Sequence, residues 1–222
     1  MQQAEMPSHE KFKIAAMLTF VGGFLDAYTY ILRGGVFANA QTGNMVLFSV
    51  NFARGNWVDS TYFLIPIFAF GSGVFVTNVL SKKFSNKHFW NFERIILSSE
   101  IIILLIVGFL PLSLPHGIVN VTVSFVCSIQ FNAFRKVRNM PYASIMCTGN
   151  LRSGIDKLLF YFNKKDRSAL KNAFHYFGII SFFILGAIAG TIFTKLLSTY
   201  SIWFCCLLLF IVLYMIPAKQ KV

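Results

Sequence analysis

Charged side chains are scarce in this sequence, and acidic ones most of all. Asp, Glu, Lys and Arg make up 13% of the 222 residues, and only 8 residues are acidic. A soluble domain carries about 25% charged residues, so this composition excludes an ordinary soluble domain. The chain is instead 56% hydrophobic and contains 26 Phe. We therefore expect a single membrane domain over residues 1–222, with too little sequence outside the apolar segments for a second folded domain.

The motifs of common enzyme classes are also missing. The sequence has no HExxH, no Gly-Lys dipeptide of a P-loop and no GxSxG elbow. Its four histidines are scattered, and its four cysteines include no CxxC pair. We predict that the protein is not an enzyme and uses neither a cofactor nor a metal ion.

The net charge of +12 raises the question of nucleic acid. The basic residues stand in short loops between apolar segments, where membrane topology places them, and no basic stripe with interleaved aromatics accompanies them. We therefore expect no nucleic acid among the partners. The expected partners are the lipid bilayer and a small polar solute or ion, and a homo-oligomer is left open.

Six apolar segments have about the length, near 20 residues, that a helix needs to cross a bilayer. They cover residues 14–32, 62–80, 95–112, 117–134, 174–194 and 200–216. Small residues within them, including Gly186 and Gly190 in GxxxG spacing, predict close helix packing. The sequence thus predicts an all-α polytopic membrane protein with about six transmembrane helices.

A tripeptide that occurs twice organises the chain. It reads Thr42-Gly43-Asn44 in the first half and Thr148-Gly149-Asn150 in the second, whereas random order would give about 0.04 copies. At the same offset of 106 residues, Asp26 aligns with Asn132 and Tyr28 with Phe134. We predict a duplicated unit of span, polar break, span and span, with repeats at about 12–112 and 117–217.

The placement of Lys and Arg predicts how the two breaks sit in the membrane. If the breaks are re-entrant and six helices cross, one side receives 17 basic residues and the other receives 3. If both breaks cross, the two sides tie at 9. The positive-inside rule favours six crossings with both termini cytoplasmic. Three crossings per repeat would make the repeats inverted; the alternative, in which the breaks are short full spans, would make the halves parallel.

The breaks themselves are candidate binding elements. Gly43 and Gly149 supply backbone freedom, and Thr42, Asn44, Thr148 and Asn150 supply short polar groups that can cap a half-helix. A half-helix that begins after Asn44 would aim free N–H groups at the protein centre and favour an anion, a carboxylate or the oxygen of a neutral solute. The alternative is that the tripeptides cap kinked helices and bind nothing.

Asp26 is the most informative single residue, because an ionisable group inside a span is a functional candidate by default. It could bind a coupling proton, hold a cation or pair with Arg33 or Arg152. The alternative is an Asp that is neutral and hydrogen-bonded to a helix break. Glu100 is expected near the cytoplasmic end of its span, where it snorkels or pairs with Arg94.

Four further polar residues have both a functional and a structural interpretation. Gln41, Gln130 and Asn132 either line a polar site or form interhelical hydrogen bonds. Arg152 is either an anion clamp or the partner of Asp156 in an i, i+4 pair. We include all four among the candidate solute-binding or ion-binding residues.

Four stretches resemble a known family. They are GGFLDAYTYI at 22–31, VFANAQTGNMV at 36–46, FAFGSGVF at 68–75 and QFNAFRKVRNMPYASIMCTGNLRSG at 130–154. Together they resemble the YoaK family of bacterial inner-membrane proteins, and the resemblance covers about residues 12–216. It implies a multi-spanning protein of the bacterial inner membrane, but no substrate.

These observations predict a transporter or channel for a small polar or anionic solute, with Asp26 as the candidate for proton coupling. The alternative function is a non-transporting membrane scaffold or partner subunit.

Overall fold

The chain is almost entirely helical, as the composition predicts. The structure is a computed structural model that describes residues 11–84, 92–134, 136–137, 140–141 and 147–217. The first half contains α1 (Phe12–Leu32), α2 (Gln41–Ala53), α3 (Trp57–Phe84) and α4 (Phe92–Phe109). The second contains α5 (His116–Ala133), α6 (Cys147–Lys164), α7 (Arg167–Leu197), a 3-10 helix (Ser198–Ile202) and α8 (Trp203–Met215). Between α5 and α6, the short strands β1 (Lys136–Val137) and β2 (Met140–Pro141) pair antiparallel.

Glycine and proline define the ends of the first helices. After α1, Gly34 and Gly35 have φ angles of 84° and 72°, a conformation that glycine adopts without a steric penalty. They turn the chain back, so that residues 36–40 fold over the end of α1 before α2 begins. Pro111 and Pro115 lie in the turn between α4 and α5, because proline cannot continue a helix but fits just before one.

Two pairs of long helices pack closely through glycine. A Cβ added at Gly186 of α7 would lie 2.0 Å from the Phe20 carbonyl oxygen of α1, and one at Gly190 would lie 2.7 Å from that of Phe24. The predicted packing role of this GxxxG pair is therefore confirmed. Since the contacting residue numbers rise together, α1 and α7 run parallel.

Helices α3 and α5 repeat this arrangement. A Cβ added at Gly73 of α3 would lie 1.9 Å from Ser128 Oγ of α5, and the Tyr62 ring lies 3.5 Å from the Cβ position of Gly117. These two helices are therefore parallel as well. In addition, α2 packs on α3, α6 packs on α7, α4 contacts α5 and α8, and α1 contacts α8.

The hydrophobic core lies between α1, α4, α5 and α8. Its fully buried side chains include Phe24, Leu104, Val123 and Leu209, one from each of these helices. Large apolar side chains elsewhere point outward, such as Phe68 and Phe75 of α3, which are 73% and 69% exposed. Apolar exposure on this scale is typical of a surface that faces lipid.

Within the described residues, three segments are both long and apolar enough to cross a membrane. They are Phe12–Leu32, Trp57–Lys82 and Arg167–Met215, the last of which contains α7, the 3-10 helix and α8. Helix α4 carries Glu93, Arg94 and Glu100, and α5 carries several amides, so both are more polar. The count of six crossing helices therefore stays a prediction.

Candidate functional site

Asp26 lies inside the helical bundle and faces the loop that precedes α2. The residue is 5% exposed. Its Oδ1 accepts a hydrogen bond of 2.6 Å from the Asn39 backbone N–H, and the backbone amides of Ala38 and Ala40 face the same carboxyl group. Oδ2 has no hydrogen-bond partner in the part of the chain that the structure describes. Three consecutive amides thus form a cradle for negative charge.

The loop that supplies these amides is tied to α1 by the Asn39 side chain and to α2 by the Gln41 side chain. Asn39 Nδ2 donates to the Gly22 carbonyl at 3.0 Å, and Gln41 Nε2 donates to the Ala38 carbonyl at 2.8 Å. Asn39 is 4% exposed, and its Oδ1 lacks a partner among the described residues. The loop is therefore held rigidly over Asp26, while one amide oxygen of Asn39 stays free to accept.

The first tripeptide is placed differently from the prediction. Helix α2 begins at Gln41 rather than after Asn44, and its N-cap residue Ala40 makes no side-chain capping bond. Asn44 lies in the first turn and is fully buried. Its Oδ1 accepts from the Phe37 N–H at 2.9 Å, and its Nδ2 donates to the Phe37 carbonyl at 2.7 Å and to Gln41 Oε1 at 2.9 Å.

The prediction that Asn44 is the N-cap is therefore wrong, and the reason is geometric. Side chains on a helix point toward its N-terminus, so Asn44 reaches back from the first turn and binds both polar groups of Phe37. Gly43 is needed because a Cβ there would lie 3.0 Å from the Phe37 ring. Thr42 is exposed, so of the two hydrogen-bonding side chains of the tripeptide, only Asn44 is buried here.

The second tripeptide also lies within the first turn of its helix. Helix α6 begins at Cys147, Asn150 is 2% exposed, and Thr148 and Gly149 face outward. The Asp26 charge reaches the Cys147 thiol. The first turn of α6 therefore approaches the same carboxyl group as the loop before α2.

The other predicted residues divide between the site and the surface. Gln130 is 2% exposed, one turn beyond Cys127 on α5, and its Nε2 has no partner in the described chain. Asn132 faces α3 instead, where its Nδ2 donates to the Val74 carbonyl at 3.2 Å and to Asn78 Oδ1 at 3.0 Å. For Asn132 the interhelical interpretation is confirmed.

Arg152 is not part of this site. Its side chain is 87% exposed, and its Nε lies 4.0 Å from Asp156 Oδ2. That distance confirms the i, i+4 pair, which is weak at such exposure. An anion clamp at Arg152 finds no support in this geometry.

No ion pair joins Asp26 to Arg33 or Arg152 in the described structure, so the pairing option for Asp26 was wrong. Arg33 is fully buried, and its guanidinium donates to the Leu110 and Pro111 carbonyls at 2.9 and 3.2 Å. These carbonyls lie just beyond the last residue of α4. Arg33 therefore compensates the negative end of that helix rather than the acid on its own helix.

The expectation for Glu100 was also wrong. Helix α4 begins at Phe92, three residues before the predicted span, so Glu100 lies at its middle and is 1% exposed. Arg94 instead donates to the Leu213 carbonyl at 2.8 Å and to the Ile216 carbonyl.

Two other residues of the site escaped the sequence analysis. Asn39 bridges the loop to α1. The Cys127 thiol lies within hydrogen-bonding reach of Asn39 and interacts electrostatically with both Asp26 and Glu100. Neither residue type signals a site by itself, because asparagine in a loop and cysteine in a helix are both common.

Comparisons with known proteins agree with the sequence motifs. A family described as "Protein of unknown function (DUF1275)" matches residues 14–215. The chain is also 25% identical to the UPF0700 transmembrane protein YoaK of Bacillus subtilis (strain 168) over 215 residues, which cover 94% of each chain. No solved structure matches. The resemblance to the YoaK family is therefore confirmed, and this membrane protein belongs to the DUF1275 family.

Proposed function

We propose that the protein is a carrier or channel for a small polar or anionic solute, with Asp26 as its proton-binding group. The observation that carries this proposal is the position of Asp26. A buried acid in an apolar helix faces three backbone amides at the start of α2, and the first turn of α6 lies within reach of its charge. Helix N-termini that meet at a polar residue inside a bundle are a recurrent arrangement in transporters.

The geometry supports a coupling mechanism. While Asp26 is ionised, its own carboxylate accepts from the Asn39 amide and faces the neighbouring amides of Ala38 and Ala40. A proton on Asp26 weakens these bonds, because a neutral carboxyl group is a poorer acceptor. The amides can then donate to a carboxylate or another anion, so that proton and solute occupy the site together. The role is binding and release, and we propose no catalytic step.

The pattern of helix contacts supports an internal repeat. Each helix of the first half has a counterpart four helices later, so that α1 corresponds to α5, α2 to α6, α3 to α7 and α4 to α8. When every helix is replaced by its counterpart, the contact of α1 with α7 becomes that of α5 with α3. Likewise the contact of α2 with α3 becomes that of α6 with α7, and the contact of α4 with α5 becomes that of α8 with α1. Each such pair is present, as a duplicated unit requires.

We also propose that six helices cross a bacterial inner membrane and that both termini are cytoplasmic. Helix α2 has 13 residues, or about 20 Å at 1.5 Å per residue, which is too short for a hydrocarbon core of about 30 Å. Helix α6 is polar, with Asp156 and Arg152 exposed. In this topology α2 and α6 enter from opposite sides, which makes the two repeats inverted.

Cysteine labelling tests this topology. Asn56 and Asn163 are exposed residues at or just beyond the C-terminal ends of α2 and α6, so Asn56→Cys and Asn163→Cys in a Cys147→Ser background form a matched pair. An impermeant maleimide should label the first from outside the cell and the second only after the membrane is opened. Labelling of both from the same face would contradict the inverted repeat.

Proteoliposomes with a trapped pH dye test transport. Nitrate, phosphate, succinate or glycine is added outside, and uptake with a proton acidifies the interior. We expect at least one of these probes to acidify the lumen with the wild type, and Asp26→Asn to abolish the signal. Asp59→Asn, which changes an exposed carboxylate in the first turn of α3, is the matched control and should transport normally. Equal rates for Asp26→Asn and the wild type would remove Asp26 from the mechanism.

The alternative of a non-transporting scaffold or partner subunit is favoured by one observation. Gln41 and Asn44 close hydrogen bonds within their own loop and helix, and Asn39 bonds the loop to α1, as a purely structural motif would. A scaffold predicts that none of the four solutes moves and that crosslinking in intact membranes captures a protein partner. Solute uptake by the purified protein alone excludes it.

A further inference from the structure

Glu100 is a buried acid that the mechanism above does not use. It is the ninth of the 18 residues of α4 and is 1% exposed. Neither carboxyl oxygen has a hydrogen-bond partner among the residues that the structure describes. A carboxyl group in this state differs from Asp26, which accepts a hydrogen bond from the Asn39 backbone amide.

The titratable side chains that face Glu100 come from the two neighbouring helices. They are Cys127 on α5 and Cys205 and Cys206 on α8. Arg94 on the same helix is held by backbone carbonyls at the end of α8, and no ion pair within the described chain includes Glu100. Cys127 also interacts electrostatically with Asp26.

The state of the carboxyl group follows from this environment. An ionised carboxylate that is buried without a partner is strongly unfavourable, so the group takes up a proton instead. An apolar side chain at this position would avoid the cost of burying a carboxyl group without a partner. An acid that costs stability in the interior of a membrane protein is a candidate for function.

We propose that Glu100 is a second proton-binding site, which holds a proton at neutral pH and exchanges it during transport. This inference rests on the proposed function, since it assigns to Glu100 the binding of the same coupling proton that the proposed carrier uses. The step forms an O–H bond at Glu100 while the O–H bond of its donor, Asp26 or a water molecule, breaks, with no change of oxidation state. Glu100 would then hold the proton while the ionised Asp26 carboxylate faces the backbone amides of the loop before α2.

Infrared spectroscopy of the purified protein tests the proton at Glu100 without any solute. The difference spectrum between wild type and Glu100→Gln at pH 7 should show loss of a carboxylic-acid carbonyl band, and this band should shift when the protein is equilibrated in D₂O. Loss of a carboxylate band instead would overturn the proposal, because it would show that Glu100 is ionised. An acid band that does not shift in D₂O would overturn it as well, because the proton would not exchange.

Two controls keep the outcome interpretable. Glu93→Gln changes an acid in the first turn of the same helix and should leave the Glu100 acid band in place. If Glu100→Gln does not fold, wild-type protein with ¹³C-labelled glutamate carboxyl groups replaces it, and absence of an isotope-shifted acid band refutes the proposal. In the transport assay, Glu100→Gln should lose proton uptake while Glu93→Gln keeps it.

The two proposals fail in different ways. If the acid band is present and exchanges but none of the four solutes acidifies the wild-type liposomes, the transport proposal fails while the proton site stands. If the wild type transports and Glu100→Gln transports at the same rate, the carrier stands and the role of Glu100 in transport is refuted.

Discussion

Asn44 offers the sharpest test of how the first break is held together. The substitution Asn44→Ala removes three hydrogen bonds, two to the backbone of Phe37 and one to Gln41 Oε1. Each such bond contributes about 0.5–1.5 kcal/mol to the free energy of unfolding, so we expect a loss of about 2–4 kcal/mol. For a chain of this length, that corresponds to a fall in the thermal midpoint of about 4–16 °C.

The assay is thermal unfolding in mild detergent, followed by tryptophan fluorescence. Thr42→Ala is the matched control from the same tripeptide, because Thr42 is exposed. It should change the free energy of unfolding by less than about 0.5 kcal/mol. Asn44→Asp keeps an acceptor for the Phe37 N–H, but its buried carboxylate would face the Phe37 carbonyl and Gln41 Oε1. Because these oxygens repel it, this variant should be no more stable than Asn44→Ala. Equal midpoints for Thr42→Ala and Asn44→Ala would refute the hydrogen-bond account of the break.

Three further substitutions probe the packing and the buried charges by the same thermal assay. Gly186→Ala places a Cβ 2.0 Å from a carbonyl oxygen of α1 and should lower the free energy of unfolding by about 1–3 kcal/mol. In the control Gly71→Ala, the added Cβ points into open space, so stability should change little. Similar midpoints for the two variants would contradict the α1–α7 contact. Arg33→Gln shortens the side chain that bonds the carbonyls beyond α4 and should cost about 1.5–3 kcal/mol; an unchanged midpoint would show that these bonds are not made. Arg152→Ala removes an exposed pair and should stay within about 0.5 kcal/mol; a large loss would show that Arg152 has a partner besides Asp156.

The long helices could be predicted from the sequence because lipid imposes a simple length rule. The predicted spans 14–32 and 117–134 lie within two residues of α1 and α5 at each end. In both cases the helix end coincides with the end of the apolar run, since Gly34 or a following basic residue breaks it. Hydrophobic length therefore decides α1, whereas α5 is not among the three segments apolar enough to cross a membrane.

The start of α2 and the partner of Arg94 could not be predicted in this way. Asparagine favours the N-cap position, yet Asn44 lies inside α2 because the backbone of Phe37 needs its side chain from the first turn. Arg94 of α4 is held by carbonyls at the end of α8 and not by Glu100, the partner that the sequence suggested. Both arrangements depend on contacts with chain segments that are distant or folded back, which local propensity does not contain.

Asp26 decides between the carrier and the scaffold, because its two chemical properties can be separated. Asp26→Asn keeps an oxygen that accepts from the Asn39 N–H but cannot bind a proton, whereas Asp26→Ala loses both. A scaffold needs only the hydrogen bond, so Asp26→Asn would match the wild type in every functional readout and only Asp26→Ala would lose stability. A carrier needs the proton, so Asp26→Asn would keep the thermal midpoint of the wild type and lose uptake. Loss of uptake together with a large fall in the midpoint of Asp26→Asn would refute this separation, since the negative charge itself would then be holding the loop.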